Sequence, residues 1–217
     1  MRFSALDVPG PVLVEIEPLG DERGLFARSF CEREFAAAGL PTRFPQWNIS
    51  VNRCRGTVRG MHFQAPPYEE AKLVRCTHGA IHDVVIDLRA ASTTFGLAAA
   101  VTLSRENRAA LFVPAGFAHG FQTLDDDTEV LYAMSAEYVP DAARGVRWTD
   151  PAFQVKWPLP VSVNFRSRPP VPGLGGGIGM MRIQQSRLER IRTPALRITA
   201  GSHDSLPPQS SWERLWR

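Results

Sequence analysis

The sequence has little of what marks a disulfide-stapled, thiolate-metal or membrane-spanning protein. Its three cysteines, Cys31, Cys54 and Cys76, are odd in number and include no CxxC pair. That excludes a disulfide framework and a thiolate zinc site, and predicts reduced, partly buried small side chains. No apolar run approaches the roughly 18 residues needed to cross a bilayer. The opening stretch, MRFSALDVPG, lacks the charged-then-apolar layout of a secretory leader. A soluble, cytoplasmic protein with no membrane partner is the expectation.

A basic body is missing as well. The net charge is +3, yet nine arginines against three acidic residues (Glu189, Asp204, Glu213) fall from Asn164 onward, leaving 16 basic and 19 acidic groups before it. The basicity belongs to the tail, so no nucleic-acid partner is expected.

What is present reads as β-structure. With 217 residues and 44% hydrophobic content, the chain can bury a full core as one domain, or as one domain plus an appendage. Short Val, Ile, Leu and Phe-rich runs are separated by Gly, Pro, Asp or Asn: VLVEIEPL (12–19), AKLVRC (71–76), AIHDVVIDL (80–88), AAAVTLS (98–104), AALFVPAG (109–116) and TEVLYAMSAEYV (128–139). In HDVVIDL, Asp83, Val85 and Asp87 alternate with Val84, Ile86 and Leu88, which predicts a strand with one dry and one wet face. Only CEREFAAAGL (31–40) reads as a helix, stopped by Gly39 and Pro41. Many short strands with minor short helices predict an all-β fold, a jelly-roll β-barrel or sandwich able to hold a small ligand inside.

The C-terminal part differs. VPGLGGGIGMM (171–181) is glycine-rich, and the rest has scattered Arg, Ser and Pro with little two-residue alternation. The boundary is placed after residue 163: a domain over 1–163 and an irregular basic tail over 164–217.

Two chemistries are open to the five histidines. PAGFAHGF (114–121) carries the PxGxxH half of a cupin metal motif, but His62 is followed by Phe63 and Gln64, not by the second His and the Glu of the other half. A three-ligand site would have to combine His62, His78 or His82, and His119 without the usual spacing. The other chemistry is acid–base. A His takes a proton near neutral pH, a Tyr returns one, and a Lys or second His stabilises an enolate. His62, Tyr132 or Tyr138, Lys72 and His119 supply that set, with Arg23, Arg59 and Arg89 for a phosphate. Any one of these could equally be an ordinary core or surface residue.

Longer motifs carry a resemblance. DERGLF (21–26), QWNIS (46–50), VRGMHFQAPP (58–67), AKLV (71–74), GAIHDVVIDLR (79–89), TTFG (93–96), LSRENRAALFVPAGFAHGFQTL (103–124), VLYAMSAEYVP (130–140) and GVRWTDPAFQVKWP (145–158) run in one order. Together they resemble the dTDP-4-dehydrorhamnose 3,5-epimerase family of cupin-type dTDP-sugar isomerases. The resemblance implies a cupin-like jelly roll that is a homodimer, needs no metal or organic cofactor, and epimerises carbons 3 and 5 of a dTDP-4-keto-6-deoxyhexose. It implies His62 as base, Tyr132 as acid, and Lys72 as stabiliser of the enolate oxygen, helped by His119. It implies Arg23, Arg59, Gln46 and Asn48 for the nucleotide diphosphate and sugar, with Phe26 and Tyr138 packed beside the thymine or sugar.

Departures from the family pattern are specific. Arg28 and Ala143 stand where the family usually has Glu. The Asp that the family pairs with its catalytic His, in a segment resembling ISxxDR, has no counterpart in VSVNFRSRPP (161–170). Codons compatible with Asn164 to Leu174 read Ile-Ser-Asp-Arg one nucleotide later, so the tail has two readings: the product of a shifted frame, or a genuine extension. A chain without that Asp could also be a catalytically impaired sugar-nucleotide-binding cupin, and a metal-dependent cupin is the third reading.

Overall fold

The computed structural model describes residues 1–162 and the backbone of 179–180. The sequence readings that concern the tail, its frame and the missing Asp lie outside the described residues. The strands in chain order are β1 (Arg2–Ala5), β2 (Val12–Glu15), β3 (Leu19–Asp21), β4 (Gly24–Phe26), β5 (Gln46–Asn52), β6 (Val58–Gln64), β7 (Lys72–His78), β8 (Ala80–Asp87), β9 (Ala98–Ser104), β10 (Ala110–Val113), β11 (Phe117–Thr123), β12 (Thr128–Met134), β13 (Ala143–Gly145) and β14 (Gly179–Met180). One helix, α1 (Glu32–Ala37), sits between β4 and β5, inside the stretch where the sequence predicts it.

Two six-stranded sheets build the molecule, in the orders β1-β2-β10-β7-β12-β5 and β14-β13-β6-β11-β8-β9, with β3 and β4 as a separate two-stranded hairpin. Among the described residues all pairings are antiparallel except β13 with β14. This is the jelly roll that the strand pattern predicts. The apolar runs become strands because β-branched and aromatic side chains fit a pleated surface buried on one or both sides.

Three apolar clusters make the core. The central one, which includes Val74, Val85, Leu111, Phe117, Phe121 and Val130, takes side chains from both sheets. The second covers the far side of the β6-β11-β8 sheet: Met61, Phe63, Val84 and Ile86 pack against Phe153, with Trp148 and Trp157 over them. The third places Phe35 of α1 on Leu73, Phe112 and Ala133.

The second cluster corrects the reading of β8 as half wet. From Asp83 to Asp87 every residue is buried, because the chain after β13 folds over the outer face while the two aspartates point to partners inside. The cysteines are all free; Cys76 is buried and Cys31 half-buried, but Cys54 is exposed, against expectation.

The register between β6 and β11 is tight. A Cβ on Gly60, whose φ is +139°, would lie 2.5 Å from Gly120 Cα, and one on Gly120 would lie 2.6 Å from Met61 Sδ and 2.8 Å from Arg59 O. Two glycines facing each other let these backbones approach where the pairing shifts register between His119 and Phe121. Gly120→Ala is therefore expected to lower stability by about 1–3 kcal/mol, the usual cost of overpacking, as a lower urea midpoint with an unchanged slope.

Candidate active site

Two-residue alternation decides which side chains of each strand point between the sheets. On β6 and β11, His62 and His119 are directly opposed cross-strand partners. On β8, Asp83 pairs in register with Phe121, one pleat from His119. Its Oδ1 accepts a hydrogen bond from His119 Nε2 at 2.6 Å, and both side chains are buried.

The opposite sheet supplies the rest. Tyr132 of β12 reaches across: its ring meets His119 edge-on at 6.0 Å between centroids and Phe121 at 6.4 Å. Tyr132 is in register with Val74 of β7 and Asn48 of β5. Lys72, two residues before Val74, lies on that same inner face and is buried, with its Nζ donating to Glu70 Oε1. Arg59 Nε donates to the buried Asn52 Oδ1 at 2.5 Å. Gln46 Nε2 donates to Asn48 Oδ1 at 3.2 Å, and Gln46 Oε1 accepts the backbone N–H of Tyr138 at 2.9 Å.

Burial and like charge set the protonation of this cluster. His62 is pushed down from 6.5 to about 4, first by burial and then by the positive charges of Lys72, His119 and Arg59. At neutral pH it is a neutral imidazole with a lone pair available. Burial drives the Tyr132 phenol up from 10.0, the Asp83 charge adds to this and Arg59 opposes it, so the phenol keeps its proton. A proton acceptor, a proton donor and an ammonium thus face one largely enclosed space between the sheets. Such an arrangement can remove a proton from a carbon acid and hold the resulting anion.

The structure brings together six residues that the sequence singles out: His62, Lys72, Tyr132, His119, Arg59 and Asn48. Gln46 and Tyr138 flank them. Arg23 and Phe26 sit on the β3-β4 hairpin instead, where Arg23 is paired with Asp21 and Phe26 is 77% exposed. Arg89 is committed elsewhere, to Asp87 and the Pro9 carbonyl, with its guanidinium 4.6 Å over the Phe117 ring. Of the further histidines weighed for a metal, His82 packs against Trp157 on the outer face and His78 Nδ1 lies 3.1 Å from the Asp127 carbonyl. Arg28 pairs with Glu34, and Ala143 is buried in β13 opposite Gln64.

Sequence reasoning missed Asp83, Glu70 and Asn52. Asp83 was legible only as a wet-face residue, and no spacing rule ties it to His119, 36 positions away. Glu70 precedes Lys72 by two, the interval that puts both on one side of an extended chain, and that was an available signal.

The low proton affinity of His62 has a measurable consequence. The unfolded chain takes up this proton near 6.5 and the folded chain only near 4. Stability attributable to His62 is therefore whole above the upper value and is lost as pH falls through that window. Between about pH 7 and about pH 4.5 the urea midpoint of the wild type is expected to fall more steeply than that of His62→Gln. Equal slopes would show that the imidazole is not buried neutral.

Comparison with known proteins agrees with this geometry. The family model for dTDP-4-dehydrorhamnose 3,5-epimerase matches residues 5–170. The dTDP-4-dehydrorhamnose 3,5-epimerase of Sinorhizobium fredii is 44% identical over 158 residues, covering 73% of this chain and 81% of the relative. That of Shigella flexneri is 40% identical over 160 residues, 73% of this chain and 88% of the relative. Among solved structures, the Bacillus anthracis dTDP-4-dehydrorhamnose 3,5-epimerase with TDP and PPi bound superposes with a TM-score of 0.73 at 35% identity, covering 76% of this chain and 95% of that one. ChmJ, a 3'-monoepimerase from Streptomyces bikiniensis in complex with dTDP-quinovose, gives a TM-score of 0.68 at 32% identity, covering 72% and 79%. With its jelly roll, its inward His62 and Tyr132, and a family match spanning most of its length, this chain belongs to the dTDP-4-dehydrorhamnose 3,5-epimerase family.

Proposed function

We propose that the protein epimerises carbon 3, carbon 5 or both of a dTDP-4-keto-6-deoxyhexose, in the cytoplasm, on a path to dTDP-rhamnose or a related deoxysugar. The observation that carries this is the convergence of His62, Lys72, Tyr132 and His119 between the two sheets, Lys72 and His119 buried and His62 and Tyr132 half-buried. A proton next to a ketone is too weakly acidic for an exposed imidazole, so the enolate must be stabilised where water is excluded.

In this reading His62 takes the proton from the ring carbon, and the electron pair moves into the C4 oxygen. The Lys72 ammonium, helped by His119, holds the developing charge. Tyr132 then delivers its own proton to the opposite face of that carbon, inverting it. The same positive groups that make free His62 a weak base favour the enolate. A diphosphate bound near Arg59 would offset part of that charge and restore basicity to His62. Arg23, Arg59, Gln46 and Asn48 are assigned to the diphosphate and sugar, and Phe26 and Tyr138 to the thymine or sugar.

We place the catalytic unit at residues 1–163 and assign it to a homodimer. Support for a dimer comes from apolar side chains left in water: Leu19, Leu25 and Phe26 on the hairpin, and Trp47, Ile49 and Val51 on the outer side of the edge strand β5. An exposed apolar edge of that kind is a pairing surface. Ile49→Asp is expected to shift the protein toward monomer in sedimentation; an unchanged dimer would place the interface elsewhere.

One observation favours a second reading, a sugar-nucleotide-binding cupin with impaired catalysis. Among the described residues the His62 ring nitrogens have no hydrogen-bond partner, so no carboxylate there orients the imidazole. Incubation with dTDP-4-keto-6-deoxyglucose in deuterated water separates the two. Deuterium at carbons 3 and 5 is expected, and incorporation at neither would leave only the binding reading; carbon 3 alone would make it a 3-epimerase. His62→Ala is expected to abolish exchange. Tyr132→Phe should slow epimerisation more than exchange, because it removes return of the proton and not its removal.

A further inference from the structure

Glu70 is a buried acid that the proposed chemistry leaves unused. Its side chain is 4% exposed and that of Lys72 8% exposed, and the two are an ion pair. One carboxylate oxygen, Oε1, accepts from Lys72 Nζ; the other, Oε2, is buried without any hydrogen-bond partner among the described residues. A buried carboxylate oxygen left unpaired is unfavourable unless something fills the vacancy on binding. Lys72 is in the complementary condition. An ammonium has three donors, and Glu70 takes one.

Among the described residues the pair therefore presents two functions side by side at the head of Lys72: an N–H donor and a carboxylate acceptor without a partner. Lys72 lies on the inner face of β7, close enough to His62 for its charge to act on the imidazole. A molecule touching both groups needs an oxygen acceptor beside an O–H donor. A ketone with a hydroxyl on the next carbon has that arrangement. When the proton on the hydroxyl-bearing carbon leaves, that carbon becomes trigonal like the ketone carbon beside it and the two oxygens lie in one plane, side by side, so the match improves as the enolate forms.

We propose that Glu70 and Lys72 together recognise an α-hydroxyketone, Lys72 Nζ donating to the carbonyl oxygen and Glu70 Oε2 accepting from the hydroxyl of the adjacent carbon. This rests on the epimerase reading above and makes Glu70 the group that selects for a hydroxyl at carbon 3. It also holds Lys72 in place before substrate arrives, so that the ammonium need not reorganise when charge develops.

The test crosses a substrate change with a protein change. Deuterium exchange at carbon 5 is followed for dTDP-4-keto-6-deoxyglucose and for its counterpart lacking the carbon 3 hydroxyl, with wild type, Glu70→Gln and Glu70→Ala. Wild type is expected to lose roughly 10- to 100-fold in kcat/KM on the substrate without the hydroxyl, the range for a hydrogen bond to a charged group. Glu70→Ala should lose about tenfold or more on the hydroxylated substrate beyond whatever it loses on the other, the signature of direct coupling. Glu70→Gln, which keeps an acceptor oxygen and the side-chain shape, should retain part of the discrimination. A wild type indifferent to the hydroxyl overturns the proposal without any variant having to fold. Equal losses of Glu70→Ala on both substrates also overturn it, and reduce Glu70 to a support for Lys72. Those outcomes leave the epimerase reading standing, whereas a wild type that exchanges neither carbon of either substrate removes both.

Discussion

The close pairing of β6 with β11 is the constraint from which the site follows. Gly60 and Gly120 let the two backbones meet where any side chain would collide, and the register they permit sets His62 opposite His119. Once that pairing is made, alternation along β11 and β8 brings Asp83 to His119, and the facing sheet closes over the pair with Tyr132. The apolar core that includes Phe121, Val85 and Val74 then serves two purposes. It holds the sheets together, and it lowers the exposure of the groups whose charges must act on one another.

That partial burial explains the division of labour. Burial makes His62 reluctant to hold a proton and Tyr132 reluctant to lose one, so the same environment creates an acceptor and a donor. Two potential cations of the cluster are each held by a buried carboxylate, His119 by Asp83 and Lys72 by Glu70, and among the described residues each of those carboxylates keeps one oxygen without a partner. The cluster is thus oriented in advance at some cost to stability. Such local costs are characteristic of sites built for ligands, because the unmet hydrogen bonds are made only when the ligand arrives.

Much of this was legible along the chain. The strand run at 98–104, the run at 128–139 as far as Met134, the short helix before Gly39 and the VRGMHFQ strand follow from period-two alternation and chain breakers, which act over a few residues. HDVVIDL does alternate, but the alternation does not separate a wet face from a dry one. Whether the aspartate side of β8 faces water depends on the strand beside it and on the chain folded over its back. Polar residues on a strand look the same in sequence whether they are solvated or paired in the interior.

The sequence by itself determined the residue types available for chemistry, the strand and turn pattern, and the family to which those motifs belong, because each is encoded in local order. Only the tertiary structure decided that Asp83 belongs to His119, that Glu70 shares Lys72, that Arg89 serves Asp87, and that Arg23 pairs with Asp21 on a separate hairpin that also carries Phe26. The physical reason is the same in each case. Partners across a sandwich are chosen by cross-strand register and by burial, which couple residues tens of positions apart and leave no periodic trace in the chain.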